Sequence, residues 1–324
     1  TQELAIDLGT ANTLIMCGDK VVVNEPSVVA ISTVDSKCVA VGRKAQQMIG
    51  RGGMMVKTVR PLKEGVIADF YACEMMIRGM IRMIPKQPHL FTPSIRMVVG
   101  IPSGCTEVEI RAVRDSSEHA GGRDVYMIFE PMAAAIGIGI DVESPTGCMI
   151  VDIGGGTTEI AVISLGGIVS NRSIKVAGDD FNQDIIEYMS RMHNLKIDEP
   201  TAERIKIQVG SALPELEDAP EDYVVIGPNK VTALPMSVPV GYQEIAHCLE
   251  KSISKIESAI LQALEATPPE LYADIVQNGI YLAGGGALLH GLAKRITDKI
   301  TIQFHVADEP LLAAKKCLLT PHIA

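Results

Sequence analysis

The sequence predicts an α/β protein built from two related domains, on three observations. Short apolar, β-branched segments alternate with segments of helical period along the whole chain, the pattern of an α/β fold. The motif D-x-G-x-x-x-T occurs twice, as Asp7-Leu8-Gly9-Thr10-Ala11-Asn12-Thr13 and as Asp152-Ile153-Gly154-Gly155-Gly156-Thr157-Thr158. The copies lie 145 residues apart in a chain of 324, and each stands between two strand-like segments. Turn chemistry accounts for one such loop. Two at half-chain spacing argue for duplicated domains whose loops would face one cleft.

The elements follow in order. In the first half, Leu4–Asp7, Thr13–Cys17, Val21–Val23 and Val28–Ser32 read as strands. Ile77, Met80, Ile81 and Ile84 recur at helical spacing and predict a helix over Glu74–Ile84. Ile95–Ile101 is a buried strand ended by Pro102. Thr106, with Glu109 three residues later, forms a capping box and opens a helix to Glu118. Val125–Phe129 is a strand, and Pro131 opens an alanine-rich helix. In the second half, Met149–Asp152, Glu159–Ser164 and Ile168–Val176 read as strands. Asn182–His193 and Thr201–Gly210 read as helices, the second with Thr201 as its N-cap. Pro214–Asp222 holds five acidic residues and reads as a solvated loop. Ile245, Leu249, Ile253, Ile256, Ile260 and Leu264 step by three and four, which predicts a helix over Tyr242–Leu264 that Thr267-Pro268-Pro269 stops. Ile280–Ala283 is a strand and Ala287–Ile296 a helix.

Composition sets the boundaries of function. Hydrophobic residues at 47% and charged residues at 21% exclude a disordered chain. With no tryptophan and 4% aromatics the core is aliphatic. A net charge of −10 makes the chain a poor candidate for sequence-independent nucleic-acid binding, which needs clustered cations, and no nucleic-acid partner is expected. An anionic ligand would have to be held by backbone N–H groups, a metal or a few placed cations. The seven cysteines are odd in number with no C-x-x-C pair, and read as free thiols in a reducing cytosol. Neither they nor the seven histidines show zinc-site spacing. The longest apolar run, Met132–Ile140, is far short of the ~20 residues of a membrane span.

The two loops carry the chemistry. Glycine lets the backbone turn sharply and brings successive N–H groups to a ligand, forming a nest suited to phosphate. Gly9, Thr10, Ala11 and Asn12 would donate to one part of a polyphosphate, and Gly154, Gly155, Gly156 and Thr157 to another. Asp7 and Asp152 each end a buried strand. They either cap the turns or form a carboxylate pair that holds Mg²⁺ through its waters. Gly284-Gly285-Gly286-Ala287 is a third glycine cluster between a strand and a helix, placed to set a helix N-terminus against an anion or a flat ring. The sequence contains no G-x-x-x-x-G-K-[ST] and no G-x-G-x-x-G here, which excludes a Walker-type NTPase and disfavours a dinucleotide fold. Glu130 precedes Pro131 at a strand-to-helix junction. It is either a helix-start acid favoured by the dipole or the group that orients a water for attack on a γ-phosphate. Glu203 and Lys206 sit at i, i+3 and, read alone, form a solvated ion pair.

These blocks have a family resemblance. AIDLGTANTLI, NEPSVVAI, VRPLKEGVIADF, EPMAAAIG, VDIGGGTTE, TAERIK and LAGGGALL resemble the MreB family of bacterial actin-like cytoskeletal proteins, from Glu3 to about Pro310. That family belongs to the superfamily of actin, sugar kinases and DnaK-type chaperones. The resemblance implies an actin-like ATPase fold with the nucleotide in the cleft between two related domains. These would be 1–144 (plus about 310–324) with a small subdomain at about 24–67, and 145–309 with one at about 176–240. It implies Mg²⁺-ATP as ligand, with phosphates on the Asp7 and Asp152 loops. Glu203, Arg204 and Lys206 would meet ribose and adenine, Gly284 to Ala287 the adenosine, and Glu130 with Thr157 would place the attacking water. The implied protein is a slow ATPase that polymerises with itself and binds anionic lipid at the inner face of the plasma membrane. It would work with membrane-bound cell-shape and wall-synthesis proteins to maintain rod shape. Two other readings share the loops. A small-molecule kinase needs a sugar site that the first domain's short insertion does not supply, and a plasmid-segregating actin is disfavoured by the blocks above. After Pro310 the family usually continues with a glycine-containing helix, whereas residues 311–324 hold no glycine, and no site is assigned there.

The membrane contact falls to Leu90 and Phe91. They stand in Pro85–Pro93, a segment with three prolines between a helix and a strand. Arg78, Arg82, Lys86 and Arg96 flank it, a basic cluster suited to anionic headgroups. The two side chains either fold back on the core or enter lipid.

Overall fold

A strand whose penultimate residue is an aspartate, followed at once by a hairpin return, organises each of two sheets. The computed structural model of the chain describes residues 2–18, 20–85 and 94–308. Among these the chain divides into two compact units, one of 2–142 with Gly154–Glu159, the other of Glu143–Ile153 with 160–308.

In the first unit, Gln2–Leu8 pairs antiparallel with Asn12–Cys17, which pairs antiparallel with Lys20–Pro26. On its other side Gln2–Leu8 pairs parallel with Ile95–Ile101, and that strand with Gly122–Phe129. In the second unit, Cys148–Ile153 takes the same place. Thr158–Ser164 and Gly167–Ile174 follow on one side, and Ile280–Ala283 and Phe304–Val306 lie parallel on the other. The two five-stranded sheets therefore share one strand order, and each D-x-G-x-x-x-T loop joins a first strand to a second. Duplication, inferred from a repeated heptapeptide, is visible as duplicated topology.

The strands at the centre are buried on both faces and are apolar accordingly. Leu4, Ile6, Ile15, Met97 and Val99 pack with Ala72, Met76, Ile77 and Met80 of the helix Phe70–Ile81. Met149, Val151, Ile160 and Val162 pack with the long helix Tyr242–Glu265, whose Ile245, Leu249, Ile253, Ile256, Ile260 and Leu264 are buried at the predicted spacing. The capping box of Thr106 and Glu109 is formed in both directions. The described cysteines are free thiols. The acidic stretch from Pro214 to Asp222 forms neither helix nor strand and is mostly exposed.

Several boundaries differ from the sequence reading. The helix predicted from Glu74 begins at Phe70, because the Asp69 carboxylate accepts from the Ala72 N–H at 3.0 Å. Thr201 is not an N-cap: the helix is Glu199–Val209, capped by Asp198, which accepts from the Thr201 N–H at 3.0 Å. Pro200 suits that first turn because its fixed φ is already helical. The predicted helix Ala287–Ile296 is two elements, a 3₁₀ turn Gly285–Leu288 and a helix Leu292–Ile300, separated at Gly291 with φ 72°. Pro268 and Pro269, read as a stop, also start a helix, Pro269–Asn278. The hairpin Tyr223–Pro228 with Pro235–Val240, and the small sheet of Cys38–Val41, Val29–Ser32 and Val56–Val59, complete the fold. Leu90 and Phe91 lie outside the described residues.

One charged group interrupts the apolar face of the long helix. Glu257 is fully buried and is met by Arg295 Nε at 2.7 Å and Lys299 Nζ at 2.5 Å. Arg295 also forks onto Glu250 at 2.6 and 2.9 Å and donates to the Ala212 carbonyl at 3.1 Å. Arg295→Met should therefore lower unfolding stability by about 3 kcal/mol, since removing one partner leaves a buried charge short of compensation. The double change Glu257→Leu, Arg295→Leu should lose clearly less. Denaturant unfolding of both variants measures the difference.

Candidate functional site

The first loop is held by its own unit. Ser27, from the NEPSVVAI block, donates its hydroxyl to the Gly9 carbonyl at 2.6 Å and its N–H to the Ala11 carbonyl at 2.9 Å. Its hydroxyl also lies 2.8 Å from that of Thr13, and both residues are fully buried. The loop's shape is thus fixed by a serine that the sequence reading did not single out. Thr10 is buried, and its hydroxyl accepts from the Gly65 N–H at 3.0 Å.

The second loop lies against the first. A Cβ on Gly155 would come within 2.7 Å of Ala11 Cβ, and one on Gly156 within 2.6 Å of Thr10 Oγ1. Only glycine permits this approach. The loop closes on itself through the Gly154 N–H to the Thr157 carbonyl at 2.9 Å, and Thr157 is buried. Gly65, at the turn between Leu62–Lys63 and Val66–Ile67, reaches both loops: a Cβ there would lie 2.8 Å from Thr157 Cγ2. The structure thus brings Gly9–Asn12 and Gly154–Thr157 together, with Gly65 as a third contributor that the sequence reading missed.

Glu130 is the first residue of the helix Glu130–Ile138, with Pro131 in its first turn. It stands beside the segment that ends the strand Ile95–Ile101, where a Cβ on Gly100 would lie 3.5 Å from Glu130 Cγ. In that neighbourhood burial pushes the Cys105 thiol up to about 12, with the carboxylates of Glu109, Glu130 and Glu159 adding to it.

In the second unit, Asp152 lies against Gly284. A Cβ there would sit 2.3 Å from Asp152 Oδ1, and φ of +80° also favours glycine. Gly284–Ala287 is therefore a close-packed backbone segment opening a 3₁₀ turn, not the start of an α-helix. It is joined to the end of the helix Glu199–Val209: the His290 N–H donates to the Gly210 carbonyl at 3.3 Å, and the Ala212 N–H to the His290 carbonyl at 2.8 Å.

Glu203 and Lys206 are more than a solvated pair. Lys206 is mostly buried and bonds Glu203 at 2.7 Å and the Gly178 carbonyl at 3.1 Å. Asn182 donates to the same Glu203 oxygen at 2.7 Å, and its own Oδ1 is buried with no partner among the described residues. Arg204 is exposed and bonds Thr201 at 2.9 Å, apart from Glu203 and Lys206. Of the basic cluster around 85–93, Arg78 is paired with Glu74 at 2.6 Å and Arg96 with Glu3 at 3.2 Å, so part of that charge is neutralised.

Two sheets of one topology, each presenting a glycine loop after a strand whose penultimate residue is an aspartate, define an actin-like protein. The comparisons carry this to a family. A model of the MreB/Mbl protein family matches residues 1–319, and the chain belongs to that family. It is 45% identical over 316 residues to the cell shape-determining protein MreB of Escherichia coli K12, covering 96% of this chain and 90% of that protein. It is 43% identical to the cell shape-determining protein Mbl of Bacillus subtilis 168, covering 96% and 92%. Among solved structures, MreB5 of Spiroplasma citri bound to AMPPNP superposes with a TM-score of 0.90 at 35% identity, covering 98% of this chain and 94% of that one. A MamK double helical filament superposes at 0.81 with 20% identity, a likeness of fold.

The loop contact generates a direct test. Gly156→Ala should lower stability by about 1–3 kcal/mol, because the added methyl meets Thr10 with no room to move. A lowered thermal midpoint is the expected readout, and an unchanged one would show that the loops do not touch.

Proposed function

We propose that the chain is an ATP-dependent, filament-forming bacterial actin homologue, a slow Mg²⁺-dependent ATPase that binds the inner face of the plasma membrane and organises cell-wall synthesis to maintain rod shape. The observation that carries the reading is the contact of the two glycine loops, Gly155 and Gly156 against Ala11 and Thr10. Such an arrangement offers two rows of backbone N–H groups to one polyphosphate. The cell shape-determining names of the relatives and the AMPPNP and ADP bound to MreB5 of S. citri support it.

In this reading Gly9–Asn12 and Gly154–Thr157 bind the phosphates. Glu203 and Lys206 meet ribose and adenine, and Gly284–Ala287 supports the adenosine. Arg204 joins them only by turning from Thr201. The buried, unpartnered Asn182 Oδ1 beside Glu203 is an acceptor that a ribose hydroxyl could satisfy. Glu130, with its carboxylate as acceptor, and Thr157, with its hydroxyl, orient the attacking water. This is a positioning role felt chiefly in the transition state. The donor set fits Mg²⁺. Asp7 and Asp152 offer hard carboxylate oxygens, and Asp152 sits where a Cβ on Gly284 would intrude. In this reading the ion would be held largely by water and phosphate oxygens. When bound, Mg²⁺ would neutralise charge on the phosphates.

Self-association follows the MamK filament only through the shared fold. Nucleotide would bias it by binding one conformation better than another. Sedimentation tests the whole reading: the protein should pellet with Mg²⁺-ATP and stay in solution without nucleotide. Glu130→Ala should keep AMPPNP affinity and slow phosphate release by roughly a hundredfold. Equal pellets with and without nucleotide, or phosphate release by Glu130→Ala at the parental rate, would overturn it.

Attachment to lipid rests on Leu90 and Phe91. Among the described residues no helix is long and apolar enough to cross a membrane. Burying both side chains contributes roughly 3–5 kcal/mol, too little to hold a monomer firmly but enough when a filament repeats it. Filaments should therefore co-sediment with anionic liposomes. The double change Leu90→Ser, Phe91→Ser should release them while leaving assembly intact. Undiminished binding by that variant would move the contact elsewhere.

A further inference from the structure

The strand Gly167–Ile174 stands at one end of the second unit's sheet, and the long helix Tyr242–Glu265 packs beside it. Side chains alternate along a strand, so Arg172, Ile174 and, just past the strand's end, Val176 share a face. On the helix Lys255, Ser258, Ala259 and Gln262 recur at three and four, which makes one stripe of its surface. The two rows line an open groove of about 410 Å³. Its floor is apolar: Ala259 is buried, and Ile174 and Val176 are half-buried.

Charge sets this groove apart from the surface around it. Two cations and no acid line it, in a chain of net charge −10. Arg172 comes from the strand and Lys255 from the helix, so one stands on each wall. Both are exposed, and neither forms an ion pair among the described residues. Other cations of the same unit are engaged: Lys206, Lys294, Arg295 and Lys299 each bond a carboxylate. Asp184, the acid that feels Lys255, accepts from the Ser252 hydroxyl. The stems of Arg172 and Lys255 extend the apolar walls while their heads reach water. A nucleic acid would need a longer run of cations than two. A groove of this size takes a few side chains, not the face of a folded domain.

We infer that the groove is a docking site for an acidic, extended segment of a partner protein: one apolar side chain enters between Arg172 and Lys255, and a carboxylate on either side of it meets each cation. The apolar contact supplies affinity, and the two cations select the sign and register of the segment. The site lies wholly in the second unit and shares no residue with those assigned to the nucleotide above.

The test titrates the full chain, free of nucleotide, into a fluorescein-labelled peptide that carries one leucine between two pairs of aspartates. Anisotropy should rise to saturation, and binding should weaken as salt is added. Arg172→Glu and Lys255→Glu should each weaken it by about tenfold or more, because like charges then face each other. Both variants should keep the parental thermal midpoint, since both side chains are exposed. Serine in place of the peptide's leucine should cost about tenfold. A peptide with lysines for its aspartates should not bind. An absence of saturable binding, binding indifferent to both charge reversals, or equal binding of the serine peptide each overturns the inference. Two other occupants give distinct results. A nucleotide-free dimer in sedimentation that Arg172→Glu dissociates would assign the groove to a second copy. Binding to phosphatidylglycerol vesicles that Lys255→Glu abolishes would assign it to lipid. Either, in place of peptide binding, overturns the inference.

Discussion

The close approach of two backbone loops is the constraint on which the rest of the structure depends. Gly155 and Gly156 lie against Ala11 and Thr10 at distances that no side chain allows. Everything near the loops serves to keep the backbone there. Ser27 ties down the first loop through two carbonyls and Thr13, and Gly65 leans on Thr10 and Thr157. Backbone N–H groups are strong donors that need partners. In the proposed reading of a chain of net charge −10, backbone N–H dipoles rather than lysines and arginines would hold the anion.

The second unit solves a related problem by other means. Gly284 and Gly286 pack on Asp152 and Ile153, so the glycine segment is pinned to a central strand. The end of the helix Glu199–Val209 is stitched to the same segment through Gly210 and His290. Arg295 adds a layer behind it, bonding Ala212 next to that stitch while closing the charge of Glu257. The segment is therefore held by two unlike means, steric contact with the central strand and a buried ionic network beside Ala212.

Much of this was legible in the sequence where one local rule acts alone. The repeated D-x-G-x-x-x-T forecast the duplicated sheets, the three–four stepping of Ile245 to Leu264 forecast the long helix, and Thr106 with Glu109 forecast a capping box. Failures arose where two rules compete. Thr201 has cap chemistry, but Asp198 is placed one turn earlier beside a proline, and it wins. Pro268-Pro269 ends one helix and begins the next with the same fixed φ. Gly285 to Leu288 has helix-like composition, yet Gly291 in the left-handed region divides it from the helix that follows. Of the site, the loop residues could be read because glycine and aspartate have few other uses at strand ends. Ser27 and Gly65 could not, because each acts through partners 14 or more residues away.

Strand order carries a further consequence, for the time at which each half takes shape. Each glycine loop joins two strands adjacent in the chain, so the hairpins that carry the loops are local and form quickly. The parallel neighbours are remote: Gln2 waits for Ile95, and Met149 waits for Ile280. During synthesis the first sheet can be completed once Gly122–Phe129 has emerged. The second must keep the apolar strand Cys148–Ile153 open on one edge until nearly the whole chain has been made. That edge is the natural binding point for a chaperone and the natural nucleus for aggregation, so errors of assembly should concentrate in the second half.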